Sequence, residues 1–199
     1  MKYKLIAIDI QNDFATSGGK HYTPKPSVEF LKKEIFPFLK SNNIKIAEII
    51  SDYRLPRPGD EDNSCNPGTW GYESVVPKEL VNSTWIKCMN SPLWTRENIG
   101  DADHKPGLPY QDPERFGNWL QENIGNREDV IPVLFGLTID CCVMSTAQEL
   151  NWRGYHPIII KEAVDHYSGD QDKKNQVLET PVSNWAKVIG WDSIKKELI

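Results

Sequence analysis

Strand-length apolar runs recur along this chain with helical patterns between them, and that alternation constrains the fold more than any other feature. "KYKLIAIDI" (2–10) is apolar and β-branched and ends in an acid. "IKIAEIIS" (44–51), "STWIKC" (83–88), "DVIPVLFG" (129–136) and "HPIIIKEA" (156–163) are further runs of this kind, and "AKVIG" (186–190) is a short sixth. Between the first two, "VEFLKKEIFPFLKSNN" carries apolar residues at 28, 30, 31, 35, 38 and 39, mostly at helical period, with Pro37 as an expected kink. "RFGNWLQENIG" and "DSIKKELI" also read as helices, and after Cys142 a helical face of Val143, Thr146, Ala147 and Leu150 runs up to Gly154, where it should stop. Repeated strand, helix, strand units imply a parallel sheet whose strands are covered by helices on both faces. The expectation is a single α/β domain over residues 1–199, with no linker or internal repeat.

The 199 residues suffice to bury a core without disulfides or a structural metal. A formal net charge of -5 and the lack of any Lys/Arg run argue against a polyanion partner such as nucleic acid. The N-terminal apolar run is cut short by Asp9, well below the length of a signal core or a membrane span, so no membrane partner and a cytoplasmic location are expected. The four cysteines, Cys65, Cys88, Cys141 and Cys142, show no CxxC spacing and read as thiols.

In open parallel sheets the ligand site lies beyond the carboxyl ends of the strands. Asp9 ends the first strand, Asp52 follows the second, Lys87 ends the third, and a glycine-led turn into Cys141 and Cys142 follows the fourth. A helix N-terminus favours a thiolate through its free N–H groups and dipole. A carboxylate can take the thiol proton and return it to a leaving amine, a lysine can hold that carboxylate ionised, and the free N–H groups can hold an oxyanion. Each residue alone has a plainer reading: Asp9 as a turn former, Lys87 as a solvated surface residue, either cysteine as a small buried side chain. Their joint occurrence at strand ends favours chemistry. A redox pair of Cys141 and Cys142 would close a strained eight-membered ring.

"AIDIQNDF", "IKCMNSPLW" and "GLTIDCCVMSTAQELNWRGYHPIIIKEA" resemble, in order, three signatures of the isochorismatase-like cysteine hydrolases, a superfamily that includes nicotinamidases and N-carbamoylsarcosine amidohydrolases. The resemblance covers nearly the whole chain. It implies a three-layer α/β/α fold with a six-stranded parallel sheet in the order 3-2-1-4-5-6. It also implies a trio of Asp9 as general base, Lys87, and Cys142 as nucleophile, with Cys141 at a position the family fills variably. The bond between Leu137 and Thr138 is expected to be cis, with the amides of Thr138 and Cys142 forming the oxyanion hole. The resemblance implies no cofactor, a small-molecule substrate and a homo-oligomer, dimer or tetramer.

Two departures matter. The threonine usual before the aspartate of the third signature is Ile139 here. Relatives that bind zinc or another divalent ion do so through an Asp-x-His after strand two and a further histidine before a "GTPG" turn. This chain has "DYR" and "SCNPGTWG", so Arg54 and Ser64 replace the imidazoles beside Asp52 and no metal is expected. Phe14, Arg54, Trp70 and Trp94 are the expected pocket residues, Arg54 as a fork for a substrate carboxylate or, on the plainer reading, paired with Asp60 or Glu61. The function implied is hydrolysis of a small non-peptide amide or related C–N bond through a thioester. The alternatives are a catalytically silent binding module and an isochorismatase-type hydrolase that does not use the thiol.

Overall fold

The computed structural model describes residues 1–198. Six strands, β1 (Lys2–Ile8), β2 (Ile46–Ser51), β3 (Val81–Lys87), β4 (Val130–Leu137), β5 (Ile158–Asp165) and β6 (Lys187–Ile189), form one sheet in the order 3-2-1-4-5-6. All five pairings are parallel. The apolar runs therefore became strands, as the alternation predicts, largely buried in the middle of the sheet and partly exposed in the edge strands β3 and β6.

Successive side chains of a strand point to opposite faces, so each run feeds two cores. Leu5, Ala7, Val133 and Phe135 pack on one face beneath α1, a continuous helix through Pro26–Phe30, Leu31–Ile35 and Phe36–Ser41. Ile6, Ile8, Leu134 and Ile159 pack on the other, beneath α2 (Pro113–Asn123), α3 (Cys142–Trp152) and α4 (Gln171–Glu179). The last helix, α5 (Trp191–Glu197), returns to the first face through Trp191 and Ile194. No helix among the described residues is long and apolar enough to cross a membrane.

Pro37 does not break α1. The middle turn widens to π register, with the Phe36 N–H donating to Leu31 O five residues back, which accommodates the ring and its missing donor. Two elements carry no readable sequence signal. In α4, "QDKKNQVLE", only Lys174 and Leu178 are buried, too little to mark a helical face. Within the loop 91–113, Trp94–Thr95 pairs antiparallel with Tyr110–Gln111.

One glycine is dictated by close approach. Gly136 has φ +127°, and a Cβ there would lie 2.1 Å from Ile8 O on the neighbouring strand. The end of β4 can pass so near the end of β1 at this point only without a side chain.

Candidate active site

The carboxyl ends of β1, β2, β3 and β4 converge on one buried polar cluster. Asp9, immediately after β1, is 1% exposed and adopts φ +48°, while its N–H is held by Ile49 O at 2.8 Å. A left-handed residue that is not glycine is uncommon and collects at functional sites. Lys87, the last residue of β3, is fully buried, with Nζ 2.8 Å from Asp9 Oδ2 and 2.7 Å from Ser51 Oγ. The Ser51 hydroxyl donates in turn to Asp9 Oδ1 at 2.9 Å. Gln11 ties the ends of β1 and β2 together: its Oε1 accepts from Ser51 N–H at 2.8 Å and its Nε2 donates to Ser51 O at 2.9 Å.

Cys142 opens α3, and its Sγ lies 3.3 Å from Lys87 Nζ. The Leu137–Thr138 peptide bond is cis. In the turn that follows, the N–H of Ile139 goes to Asp165 O, and those of Cys141 and Val143 go to Thr138 O. The amides of Thr138 and Cys142 have no acceptor among the described residues. Asp9, Lys87, Cys142 and the two amides thus meet at one place.

The electrostatics differ from the expectation of a helix-stabilised thiolate. Burial and then the Asp9 carboxylate push the Cys142 thiol up to about 12, outweighing Lys87, so the sulfur holds its proton at rest. Burial alone would lower the Lys87 ammonium, but Asp9 holds it well above the usual lysine range. The resting site is a neutral thiol beside a carboxylate–ammonium pair. A thiolate forms there only as its proton is taken.

A cavity of about 210 Å³ opens onto Cys142. Its walls are aromatic and apolar: Phe14, Tyr53, Tyr167 and Leu137, with His21 stacked on Phe14 at 5.7 Å between ring centroids. At the mouth, His21 Nε2 lies 2.9 Å from Asp62, and Arg57 is held by Asp60 at 2.9 Å and by Cys88 O at 3.2 Å. No unpaired ammonium or guanidinium lines the cavity among the described residues. Cys141 also reaches it, but it makes no hydrogen bond to Asp9, Lys87 or Tyr53, and burial raises its thiol.

Of the four expected pocket residues, Phe14 alone lines the cavity. Trp70 is 48% exposed and Trp94 stands in the ribbon, both outside the lining. Arg54 is neither a substrate fork nor a partner of Asp60 or Glu61. Its Nε and a terminal nitrogen grip Asp52 at 3.0 and 2.7 Å, and the remaining donors go to the carbonyls of Asn98, Asp101 and His104. Arg54 therefore pins the loop 91–113 to the end of β2, and Asp52 is fully buried beneath it. Replacing Arg54 by alanine leaves that carboxylate buried without a counter-charge. The expected loss in urea unfolding is about 3–5 kcal/mol, with no change in substrate affinity of the folded fraction.

Sequence reasoning missed His21, Tyr53, Arg57 and Asn90. Tyr53 and Arg57 lie in a loop whose proline-rich composition has no period, and only the fold brings them to the thiol.

The fold and this site define a class: a three-layer α/β protein with an acid, an ammonium and a thiol gathered at the strand ends. No family model matches the chain. It is 25% identical over 181 residues to an uncharacterized isochorismatase family protein, PncA, of Bacillus subtilis strain 168, a match covering 84% of this chain and 88% of that one. An isochorismatase-like hydrolase from Alkaliphilus metalliredigens superposes with a TM-score of 0.68 at 18% identity, covering 100% of this chain and 97% of that one. The N-carbamoylsarcosine amidase of Thermoplasma acidophilum gives 0.62 at 20% identity, with 96% of each chain covered. The pyrazinamidase of Pyrococcus horikoshii, solved in complex with zinc, gives 0.63 at 19% identity, with 96% and 100% covered. The chain is thus similar in sequence to an isochorismatase family protein and shares the fold of isochorismatase-like hydrolases.

Zinc in that last structure raises the question of a metal here. The Asp52 carboxylate is saturated by a guanidinium, and Ser64 donates to Asp62 instead. No cluster of three or more His, Cys, Asp or Glu side chains suited to a metal ion occurs among the described residues. The donor set does not fit a divalent ion.

Proposed function

We propose that the protein is a cysteine-dependent hydrolase of a small, uncharged amide, working without a metal. One observation carries the reading: Lys87 Nζ lies 2.8 Å from Asp9 Oδ2 and 3.3 Å from Cys142 Sγ, at the open end of a helix facing a cavity. Asp9 takes the thiol proton as Sγ attacks the carbonyl carbon, and the oxygen, now negative, takes the Thr138 and Cys142 N–H groups. Collapse breaks the C–N bond, and the leaving nitrogen receives the proton from Asp9. Water then attacks the thioester, giving its proton to Asp9, and the carboxylic acid departs as Sγ is reprotonated. Relatives described as amidases support the reaction class.

The substrate's neutrality follows from charge matching. Each cation facing the cavity is already held by a carboxylate or carbonyl, so a substrate carboxylate would be desolvated without compensation. The aromatic walls suit a flat or apolar acyl group.

The test is an ammonia-release screen over neutral carboxamides and carboxylate-bearing ureido acids. Turnover confined to the neutral set is expected, unchanged after dialysis against EDTA. Preference for the ureido acids would overturn the substrate class. Loss of activity on chelation, restored by zinc, would overturn the metal-free chemistry.

A further inference from the structure

A phenol touches the same sulfur. Tyr53 OH lies 3.3 Å from Cys142 Sγ, 3.0 Å from Lys87 Nζ and 3.2 Å from Asn90 Oδ1. We propose that Tyr53 is a further catalytic residue, whose hydroxyl turns from Asn90 to Cys142 as the thiol loses its proton and so holds the thiolate. The proposal rests on the reading of Cys142 as the nucleophile.

The donor count requires this choice. An ammonium can only donate, so Lys87 uses the Tyr53 oxygen as an acceptor and leaves the phenol one proton to place. Two acceptors are within reach of it. At rest Sγ carries its own proton and lies 3.6 Å from Asn90 Oδ1, so the carbonyl of Asn90 is the better acceptor for both groups. Once Asp9 holds the thiol proton, Sγ is an anion, and a hydrogen bond to an ion outweighs one to a neutral carbonyl. The switch is a rotation about the C–O bond with no heavy atom moved. Tyr53 keeps its own proton throughout, and the transferred proton resides on Asp9.

The surroundings suit this role. Arg57 stacks on the Tyr53 ring 3.8 Å from its centroid, and Phe14 meets it edge-on at 6.2 Å, which fixes the ring. The charged and titratable groups facing the two residues are Asp9, Lys87 and Arg57. Burial and the neighbouring Cys142 hold the phenol well above its usual range, so it remains a donor at any working pH. Burial and Asp9 raise the Cys142 thiol, whereas Lys87 and the Tyr53 hydrogen bond lower it.

The experiment is the rate of Cys142 alkylation by iodoacetamide between pH 7 and 9, followed by mass spectrometry, in the wild type and Tyr53→Phe. The phenylalanine keeps the ring and its stacking on Arg57 and removes only the hydroxyl. The expected rate is lower by roughly tenfold or more at every pH. Coincident profiles would overturn the proposal. A site-specific 3-fluorotyrosine at position 53, a stronger donor of nearly the same size, keeps the test open should Tyr53→Phe fold poorly. It is expected to speed alkylation, and an unchanged rate overturns the proposal. Alkylation is measurable whether or not any amide is turned over, so its result is separate from that of the ammonia screen.

Discussion

Cys142→Ala is expected to abolish ammonia release, with a loss of roughly 10⁴-fold or more, while Cys141→Ala keeps most of the wild-type rate. The two thiols are neighbours in sequence and both reach the cavity, but only Cys142 is in contact with Lys87 and Tyr53. Equal losses from both would sink the assignment of the nucleophile. A Cys142→Ala protein that stayed active would instead indicate chemistry that does not use the thiol. The pH profile gives a second readout. A free thiol ionises near pH 8.5, so an enzyme needing preformed thiolate would gain rate through that range. Here the thiol is pushed up to about 12 and Asp9 removes the proton during attack, so kcat/KM is expected to stay level from pH 7 to 9.

The second large effect is on stability. Asp9 and Lys87 are almost completely buried and face each other at 2.8 Å, so removing either leaves the other as an uncompensated buried charge. Asp9→Asn and Lys87→Met are each expected to cost about 3–5 kcal/mol in urea unfolding at pH 7, lowering Tm by on the order of 10 °C. The double variant is expected to be more stable than either single one, because it buries no lone charge. Additive losses would show that the two residues do not act as a pair. The sign with pH follows from Lys87, whose folded-state pKa is raised above its ordinary value. Its contribution is fully present below about pH 10.4 and is lost as pH rises through the folded value, so the single-variant penalties should hold across neutral pH.

Much of this was legible in order along the chain. Apolar runs such as "KYKLIAIDI" and "DVIPVLFG" specify strands through local pattern alone, and their alternation with helices specifies a parallel sheet. Asp9, Lys87 and the Cys141–Cys142 turn were visible because the end of a strand is a position the pattern itself marks. The signatures around them carried the resemblance to the isochorismatase-like hydrolases.

The pocket was not legible, because its residues come from segments with no period. Trp70 and Trp94 looked like pocket residues by chemical type, but neither lines the cavity. Tyr53, Arg57 and His21 came in their place. Arg54 illustrates the reason most clearly. A guanidinium three residues after a strand can serve a substrate or a neighbouring carboxylate, and the sequence is the same in both cases. Folding brings three carbonyls of a distant loop around it and buries Asp52 beneath it, which commits the group to structure. The protonation state of Cys142 was decided in the same way. A helix N-terminus by itself favours a thiolate, and only the burial of the sulfur beside Asp9, outweighing Lys87 and Tyr53, set the balance toward a thiol that must be deprotonated to act. Periodicity and strand ends are local properties that the sequence determines by itself, whereas desolvation and pairing depend on residues far apart in the chain and exist only once the sheet has closed.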